Sequence, residues 1–160
     1  MASKTPPGEG SKAPRFTLPA DGGRNVSLDD FRGRLLVLYF YPRDDTSGCT
    51  KEALAFTEKL PELRKAGAEV VGVSKDSVAK HDKFKDKHSL KVMLASDEDG
   101  KIVERYGSWV EKSMYGRKYM GIDRSTFLID GEGVIRRVWR KVRVPGHADE
   151  VLEAVKSLKS

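Results

Sequence analysis

The chain has a single cysteine, Cys49, placed where a short polar loop gives way to a helix-forming stretch. The thiolate is the nucleophilic form of cysteine, and a free thiol titrates near ~8.5. The start of a helix has unpaired N–H groups and about half a positive charge, and both favour the thiolate. A loop that leaves the carboxyl end of a central strand is also a common place for a site in open α/β sheets. Position and residue type therefore make Cys49 a candidate nucleophile.

Cys49 also has a purely structural interpretation, because cysteine is among the residue types most often buried. It extends a helical stripe of apolar residues that consists of Ala53, Phe56, Leu60 and Leu63. From its position alone, Cys49 could equally be a small core residue or a reactive thiol. The surrounding pattern has to decide between the two.

Three predicted elements position this cysteine. Residues 35–41 form an apolar run rich in aliphatic and aromatic side chains, which predicts a central strand buried on both faces. Pro42 ends the strand because proline has no N–H for the ladder. Residues 44–48 are turn formers, and apolar residues at helical spacing predict a helix over residues 50–66. Pro61 lies inside that helix and is expected to kink or split it.

Strands and helices alternate along the rest of the chain. Further strands are predicted at residues 14–18, 25–28, 69–74, 91–95, 125–129 and 134–142, and further helices near 30–31 and at 77–87, 102–106 and 148–158. Strand, helix and strand in succession predict a right-handed crossover with parallel strands, whereas the turn at residues 130–133 predicts an antiparallel hairpin. The predicted fold class is α/β, with a central mixed β-sheet flanked by helices. Residues 109–121 show no clear periodicity and are interpreted as a loop or insertion next to the site.

Length and composition describe one globular domain. The chain has 160 residues, of which 38% are hydrophobic and 34% charged. Residues 1–12 are predicted to be a flexible lead-in, and residues 13–160 a single domain. No apolar run approaches the roughly 20 residues that span a bilayer, and the N-terminus does not resemble a signal peptide. We therefore expect a cytoplasmic protein without a membrane partner.

Charge and histidine placement point to no further binding function. The net charge is +6, and the basic residues are densest in a segment interpreted as a solvated strand face, which holds Arg136, Arg137, Arg140, Lys141 and Arg143. No signature of nucleic-acid binding is visible. His81, His88 and His147 are isolated in the sequence, so no metal site is predicted. No cofactor motif is found either.

The residues around Cys49 match a known pattern that extends far beyond the loop. Pro42, Thr46 and Cys49 follow the order P-x-x-x-T-x-x-C within the run YFYPRDDTSGCTKEA. Further matching segments are APRFTL from Ala13, VVGVSKDS from Val70, HDKFKDKHSL from His81, RSTFLID from Arg124 and VRVPGHADEVL from Val142. On these residues the chain resembles the peroxiredoxins, and among them the peroxiredoxin Q / bacterioferritin comigratory protein subfamily. The resemblance covers nearly the whole chain and implies a thioredoxin-like fold.

The resemblance also implies a site and a reaction. It makes Cys49 the peroxidatic nucleophile, which attacks hydrogen peroxide or an organic hydroperoxide and becomes a sulfenic acid. It gives the Thr46 hydroxyl a contact with thiolate and peroxide, and it gives Pro42 the role of shaping the pocket. Arg124 is implied as the cation that stabilises the thiolate and holds the bound oxygen. Each of these three also has a structural interpretation, as a helix N-cap, a strand stop and a surface arginine respectively.

Five further residues are weaker candidates for the pocket. Glu52 resembles the acidic residue that orients the arginine in the family, although carboxylates are common at helix starts. Backbone N–H groups around Gly48 would complete the set of donors. Tyr41 and Trp109, together with Tyr119, could line the pocket, and core or surface packing is the alternative for each.

The chain departs from the family pattern in its second cysteine. Many members have a resolving cysteine either five residues after the peroxidatic one or on the next helix, and these positions hold Leu54 and Lys85 here. The resemblance therefore implies a one-cysteine mechanism in which an outside thiol reduces the sulfenic acid. Thioredoxin, glutaredoxin and glutathione remain open as reductants, and a monomer is expected. The alternative function is a peroxide-sensing redox adaptor that passes oxidation from Cys49 to a partner protein.

Overall fold

A computed structural model describes the backbone of residues 6–159 and the side chains of residues 6–158. Strands and helices alternate through most of this range, and two short 3₁₀ turns, Asp21–Gly23 and Leu28–Phe31, precede the main sheet. The elements are β1 (Thr17–Pro19), β2 (Asn25–Ser27), β3 (Leu35–Phe40), α1 (Ser47–Lys65), β4 (Ala68–Ser74), α2 (Val78–His88), β5 (Met93–Ser96), α3 (Lys101–Arg105), β6 (Trp109–Met114), β7 (Arg117–Ile122), β8 (Ser125–Ile129), β9 (Ile135–Trp139) and α4 (His147–Lys159).

The central sheet has five strands in the order β5-β4-β3-β8-β9. Strand β3 pairs in parallel with β4, as the predicted crossover requires, and antiparallel with β8. Strands β8 and β9 form the predicted antiparallel hairpin. The structure thus confirms the predicted α/β class with a mixed sheet flanked by helices.

Alternating side chains of β3 supply two cores, one on each face of the sheet. Val37 and Tyr39 point to the face covered by α1 and α4. Leu36, Leu38 and Phe40 point to the opposite face, where they pack with Ile102 and Val103 of α3 among other residues. Because both faces of β3 are buried, the strand reads as a continuous apolar run rather than as an alternating one.

Helix α1 begins earlier than predicted and is not divided. It starts at Ser47 rather than Thr50, and the first bond of the helix joins the Thr50 N–H to the Thr46 carbonyl at 2.8 Å. The earlier start was hidden because Ser47 and Gly48 are poor helix formers. Pro61 lies inside the helix, which nevertheless continues to Lys65 with its apolar stripe buried against the sheet.

The prediction of a loop over residues 109–121 is wrong. Strands β6 and β7 form a separate two-stranded hairpin there, with Trp109 opposite Ile122 and Met114 opposite Arg117. Most of its side chains are exposed on both faces, so burial imposes no alternating pattern on the sequence. The turn uses Tyr115 and Gly116, both at positive φ, and a tyrosine is an unusual residue for such a turn.

The segment before residue 13 is attached to the domain. Gly10 donates its N–H to the Ile135 carbonyl at 2.8 Å, and Ile135 donates to the Ser11 carbonyl at 2.9 Å. Residues 10 and 11 of the predicted lead-in therefore pair beside the start of β9. The first part of the predicted lead-in, residues 1–5, lies outside the described residues.

One arginine of the basic segment does not belong to a solvated face. Arg140 donates to the carbonyls of Pro7, Tyr106 and Gly107 at 3.2–3.3 Å, and its guanidinium lies over the Phe127 ring. It therefore fastens the N-terminal segment and the end of α3 to the sheet. Among the described residues, no helix is both long enough and apolar enough to cross a membrane.

Candidate active site

Cys49 lies in the first turn of α1, immediately beyond the carboxyl end of the central strand. Its side chain is 2% exposed and belongs to the core between the sheet and α1. Helix geometry leaves the N–H groups of residues 47–49 without acceptors inside the helix. The sulfur is therefore a nearly buried atom beside a row of backbone donors.

Arg124 reaches this sulfur from the strand next to β3. Strand β8 runs antiparallel to β3 with Ser125 opposite Phe40, so the residue before β8 lies beside the loop that follows β3. Arg124 donates through Nη2 to the Cys49 sulfur at 3.3 Å. Sheet register thus brings together two residues that are 75 positions apart in the chain.

A carboxylate holds the other arm of this guanidinium. Nη1 of Arg124 donates to Oε1 of Glu52 at 2.6 Å, and the two side chains are 16% and 2% exposed. Burial by itself would lower the pKa of Arg124, but Glu52 and Cys49 outweigh that effect and raise it. The arginine stays charged and is fixed between carboxylate and sulfur.

Gly48 leaves room for this arrangement. A Cβ atom at this position would lie 3.2 Å from Nη2 of Arg124, which is closer than side chains ordinarily approach. The absence of a side chain at Gly48 therefore allows the guanidinium to rest against the first turn of α1.

Glu52 is an unusual partner because it is almost entirely buried. Burial raises its pKa to about 7, and the neighbouring Arg124 offsets only part of that rise. Its second oxygen, Oε2, has no hydrogen-bond partner among the described residues. A carboxyl in this state exchanges its proton close to neutral pH.

The Glu52→Gln substitution is expected to remove one pH-dependent contribution to stability. The pKa of Glu52 lies near 7 in the folded chain and near 4.5 when unfolded, so this group favours folding at low pH. That contribution is complete below about 4.5 and is lost as the pH rises through about 7. Urea unfolding at pH 5 and pH 8 measures it, with Glu58→Gln, exposed on the same helix, as the matched control. An unchanged pH dependence in Glu52→Gln would contradict this account.

Thr46 and Pro42 lie in the loop that joins β3 to α1. Thr46 occupies the N-cap position of α1, but its side chain makes no capping bond. Its hydroxyl instead donates to the Arg43 carbonyl at 2.9 Å, and the residue is exposed. Pro42 is half-buried and directly follows Tyr41. The Tyr41 N–H, just beyond the end of β3, still donates to the Val73 carbonyl of β4 at 3.1 Å.

The aromatic candidates are placed differently from one another. Tyr41 is buried in the same core as Cys49, but its hydroxyl donates to Asp44 at 2.6 Å. Trp109 packs against the core on the opposite face of the sheet, with the Lys75 ammonium 4.4 Å from its ring centre. Tyr119 is 44% exposed on β7. The hydrogen bond of the Tyr41 hydroxyl and the cation–π contact of the Trp109 ring are therefore made with Asp44 and Lys75, and not with the Cys49 sulfur.

The two positions at which relatives have a second cysteine are also defined. Leu54 is 42% exposed on α1. Lys85 lies on α2, where its ammonium binds Asp21 at 2.8 Å and is only 17% exposed. Cys49 is a free thiol in this structure.

A buried polar cluster lies behind the loop and was not predicted from the sequence. His81 of α2 is completely buried, and its Nδ1 lies 2.6 Å from Oδ2 of Asp44. The sequence suggested that His81 is isolated, and this contact shows that it is not. No local pattern could reveal this contact, because the two residues are 37 positions apart. The only sequence signal was a run of turn-forming aspartates after the strand.

Comparison with known proteins identifies the family of this chain. The model of the AhpC/TSA family matches residues 10–138. A putative peroxiredoxin bcp from Coxiella burnetii is 55% identical over 143 residues, which are 89% of this chain and 95% of the relative. Peroxiredoxin Bcp from Bacillus subtilis is 46% identical, over 93% of this chain and 95% of its own length.

Solved structures agree with the sequence relatives. Peroxiredoxin Q from Xanthomonas campestris superposes with a TM-score of 0.87 at 46% identity, covering 91% of this chain and 92% of that one. A PrxQ mutant from Xylella fastidiosa gives a TM-score of 0.90 at 38% identity, covering 99% and 100%. The chain therefore belongs to the AhpC/TSA family, as a peroxiredoxin of the Bcp or peroxiredoxin Q type.

Proposed function

We propose that this thiol-dependent peroxidase uses Cys49 as its peroxidatic residue and depends on an external thiol for each turnover. The observation that carries the proposal is the contact between Arg124 and the Cys49 sulfur, made by a guanidinium that Glu52 holds in place. A fixed cation 3.3 Å from the sulfur is placed to stabilise negative charge on the reacting atoms.

The oxidative step requires little movement of the protein. The thiolate attacks one oxygen of the peroxide, the O–O bond breaks, and Cys49 becomes a sulfenic acid while the second oxygen leaves as hydroxide or alkoxide. That leaving oxygen takes up a proton to become water or an alcohol. Arg124 and the N–H groups of the first turn of α1 stabilise the negative charge as it moves from sulfur to oxygen.

The range of peroxides is part of the proposal. A structural study of the Xanthomonas campestris bacterioferritin comigratory protein concerns alkyl peroxide reduction by that protein. The same substrate class suits this chain, because the Thr46 side of the loop is exposed and leaves room for an organic group. We therefore include organic hydroperoxides as well as hydrogen peroxide.

The reductive step needs a thiol from outside, because the sequence has one cysteine. A thiol attacks the sulfenic sulfur and releases water, which leaves a mixed disulfide on Cys49. A second thiol then attacks that disulfide and frees the Cys49 thiolate. We propose the cytoplasm as the place of action because reducing compartments maintain such thiols, and a monomer because one chain supplies the residues proposed here.

Trapping with dimedone tests the role of Cys49. One equivalent of hydrogen peroxide added with dimedone should give one adduct, located on Cys49 by mass spectrometry and absent from the Cys49→Ser variant. In a separate reaction without dimedone, excess thiol should support consumption of many equivalents of peroxide. Consumption that stops after one equivalent would favour the redox adaptor. A slow reaction like that of a free thiol would contradict the proposed site.

Substitution of Thr46 tests whether its hydroxyl contacts the peroxide. Thr46→Val keeps the shape of the side chain and is expected to slow oxidation of Cys49 by roughly tenfold, the value of one hydrogen bond. Thr46→Ser keeps the hydroxyl and should react much as the unchanged protein does. Stopped-flow or quenched reactions with hydrogen peroxide measure both rates. Equal rates in the two variants would leave Thr46 with a local structural role only.

A further inference from the structure

The loop that carries Pro42 and Thr46 is held from helix α2 through its two aspartates. Asp44 is 5% exposed at its side chain and lies 2.6 Å from Nδ1 of the fully buried His81. Asp45 instead binds Lys87 and His88 at 2.7 and 2.8 Å, and its side chain is 42% exposed. Water competes with the second set of contacts far more than with the first.

The buried contact is part of a hydrogen-bond network behind the loop. Oδ1 of Asp44 accepts from the Tyr41 hydroxyl at 2.6 Å, and the Asp44 N–H donates to Asp76 at 2.7 Å. Nε2 of His81 lies 2.9 Å from the Ala95 carbonyl. The network therefore connects the loop to α2, to the end of β4 and to β5.

The partners of His81 fix its hydrogen-bonding pattern. A carbonyl oxygen only accepts, so Nε2 carries a hydrogen that it donates to Ala95. One more proton lies between Nδ1 and the Asp44 carboxyl, because both atoms would otherwise be acceptors facing each other at 2.6 Å. A short bond of this kind between two buried side chains is strong and directional.

The position of this bond matters for the site. Asp44 is two residues before Thr46, in a loop whose next residue, Asp45, has a positive φ of 60°. The Thr46 hydroxyl is directed by the Arg43 carbonyl, one residue before Asp44. A shift of Asp44 therefore moves both the Thr46 hydroxyl and the Arg43 carbonyl that accepts its hydrogen bond.

We infer that His81 is a positioning residue for peroxide reduction, which fixes the Pro42–Thr46 loop over Cys49 through its bond to Asp44. The inference rests on the proposed function, because it assigns to the loop a part in binding peroxide. It makes helix α2 a support of the catalytic loop even though α2 contributes no residue to the proposed reaction.

The test compares two reactions of the same sulfur. Hydrogen peroxide should need the positioned loop, whereas alkylation by iodoacetamide depends only on the thiolate and its exposure. The ratio of the two rate constants therefore separates positioning from a change in the thiolate alone. The alkylation rate is also compared by itself, because a variant that merely loosens the fold around Cys49 would be alkylated faster, whereas a loss of positioning lowers the peroxide rate and leaves the alkylation rate unchanged. His81→Phe keeps a ring of similar size but removes both hydrogen bonds, and it is expected to lower the ratio by about tenfold.

Three further variants define the cause. Asp44→Asn can donate its amide to Nδ1 of His81 and still accept from Tyr41, so the ratio should stay near that of the unchanged protein. Asp44→Ala removes the bond from the loop side, and it should lower the ratio as His81→Phe does even if the latter folds poorly. His88→Gln changes the exposed contact with Asp45 and should leave the ratio unchanged.

The possible results separate the inference from the proposed function. An unchanged ratio in both His81→Phe and Asp44→Ala would overturn the inference while leaving peroxidase activity in place. An equal fall in His88→Gln would assign the effect to α2 in general and would also overturn it. If the unchanged protein itself reacted with peroxide no faster than a free thiol, the proposed function would fail first.

Discussion

Arg124→Met is expected to slow the oxidation of Cys49 by hydrogen peroxide by about 10²–10³-fold, the usual effect of removing one preorganised donor from a developing charge. Methionine approximates the length of the arginine stem but takes away the cation that lies 3.3 Å from the sulfur. It also leaves Glu52 buried without its countercharge. The rate is measured by stopped flow or by trapping the sulfenic acid at set times.

Two other variants make this result specific. Arg124→Lys keeps a positive charge but has no planar fork, so it cannot contact the Glu52 carboxylate and the sulfur in the same manner, and an intermediate rate is expected. Arg136→Met makes the same substitution at a half-exposed arginine on β9 and should have no effect. A rate for Arg124→Met close to that of Arg136→Met would remove Arg124 from the proposed mechanism.

Gly72→Ala is expected to lower the free energy of unfolding by about 3 kcal/mol, at the upper end of what overpacking a core does. Gly72 lies in the middle of β4, directly opposite Tyr39. A Cβ atom there would lie 2.6 Å from Cζ of Tyr39. The ring cannot move aside easily, because it is buried and stacks on Phe56 with ring centres 4.8 Å apart. Urea unfolding followed by circular dichroism measures the loss.

Substitutions of Tyr39 provide the controls for this contact. Tyr39→Leu removes the end of the ring, so the loss in the double variant with Gly72→Ala should be smaller than the sum of the two single losses. Tyr39→Phe alone should be neutral or stabilising, because the buried hydroxyl of Tyr39 has no hydrogen-bond partner among the described residues. Simple additivity in the double variant would show that ring and glycine do not interact.

The sequence predicted those parts of the fold whose burial leaves a pattern. Strands β3 and β4 are apolar runs because they are buried on both faces, and α4 shows its apolar face at helical spacing. The β6–β7 hairpin left no such pattern, since its side chains are mainly exposed. The boundaries of α1 were obscured because Ser47 and Gly48 do not favour a helix by themselves.

The site divides in a similar way. Cys49 could be proposed from its own position at a helix start, but Arg124 could be proposed only through the resemblance, because sheet register joins it to the sulfur. Asp44 and His81 follow from neither argument. Their contact depends on how α2 packs behind the loop, and a polar residue buried by tertiary packing looks the same in sequence as one in water.

The near-complete burial of Cys49 has a consequence for recycling of the enzyme. A peroxide is small enough to reach a cysteine that is 2% exposed, but the thiol that must follow brings a larger molecule to the same residue. We therefore expect the first turn of α1 to open for reduction and to close again for oxidation. The frequency of that local opening sets an upper limit on turnover. A variant with a more stable first turn would therefore unfold less readily but turn over more slowly. Ser47 and Gly48, which favour a helix weakly, keep the beginning of α1 easy to open.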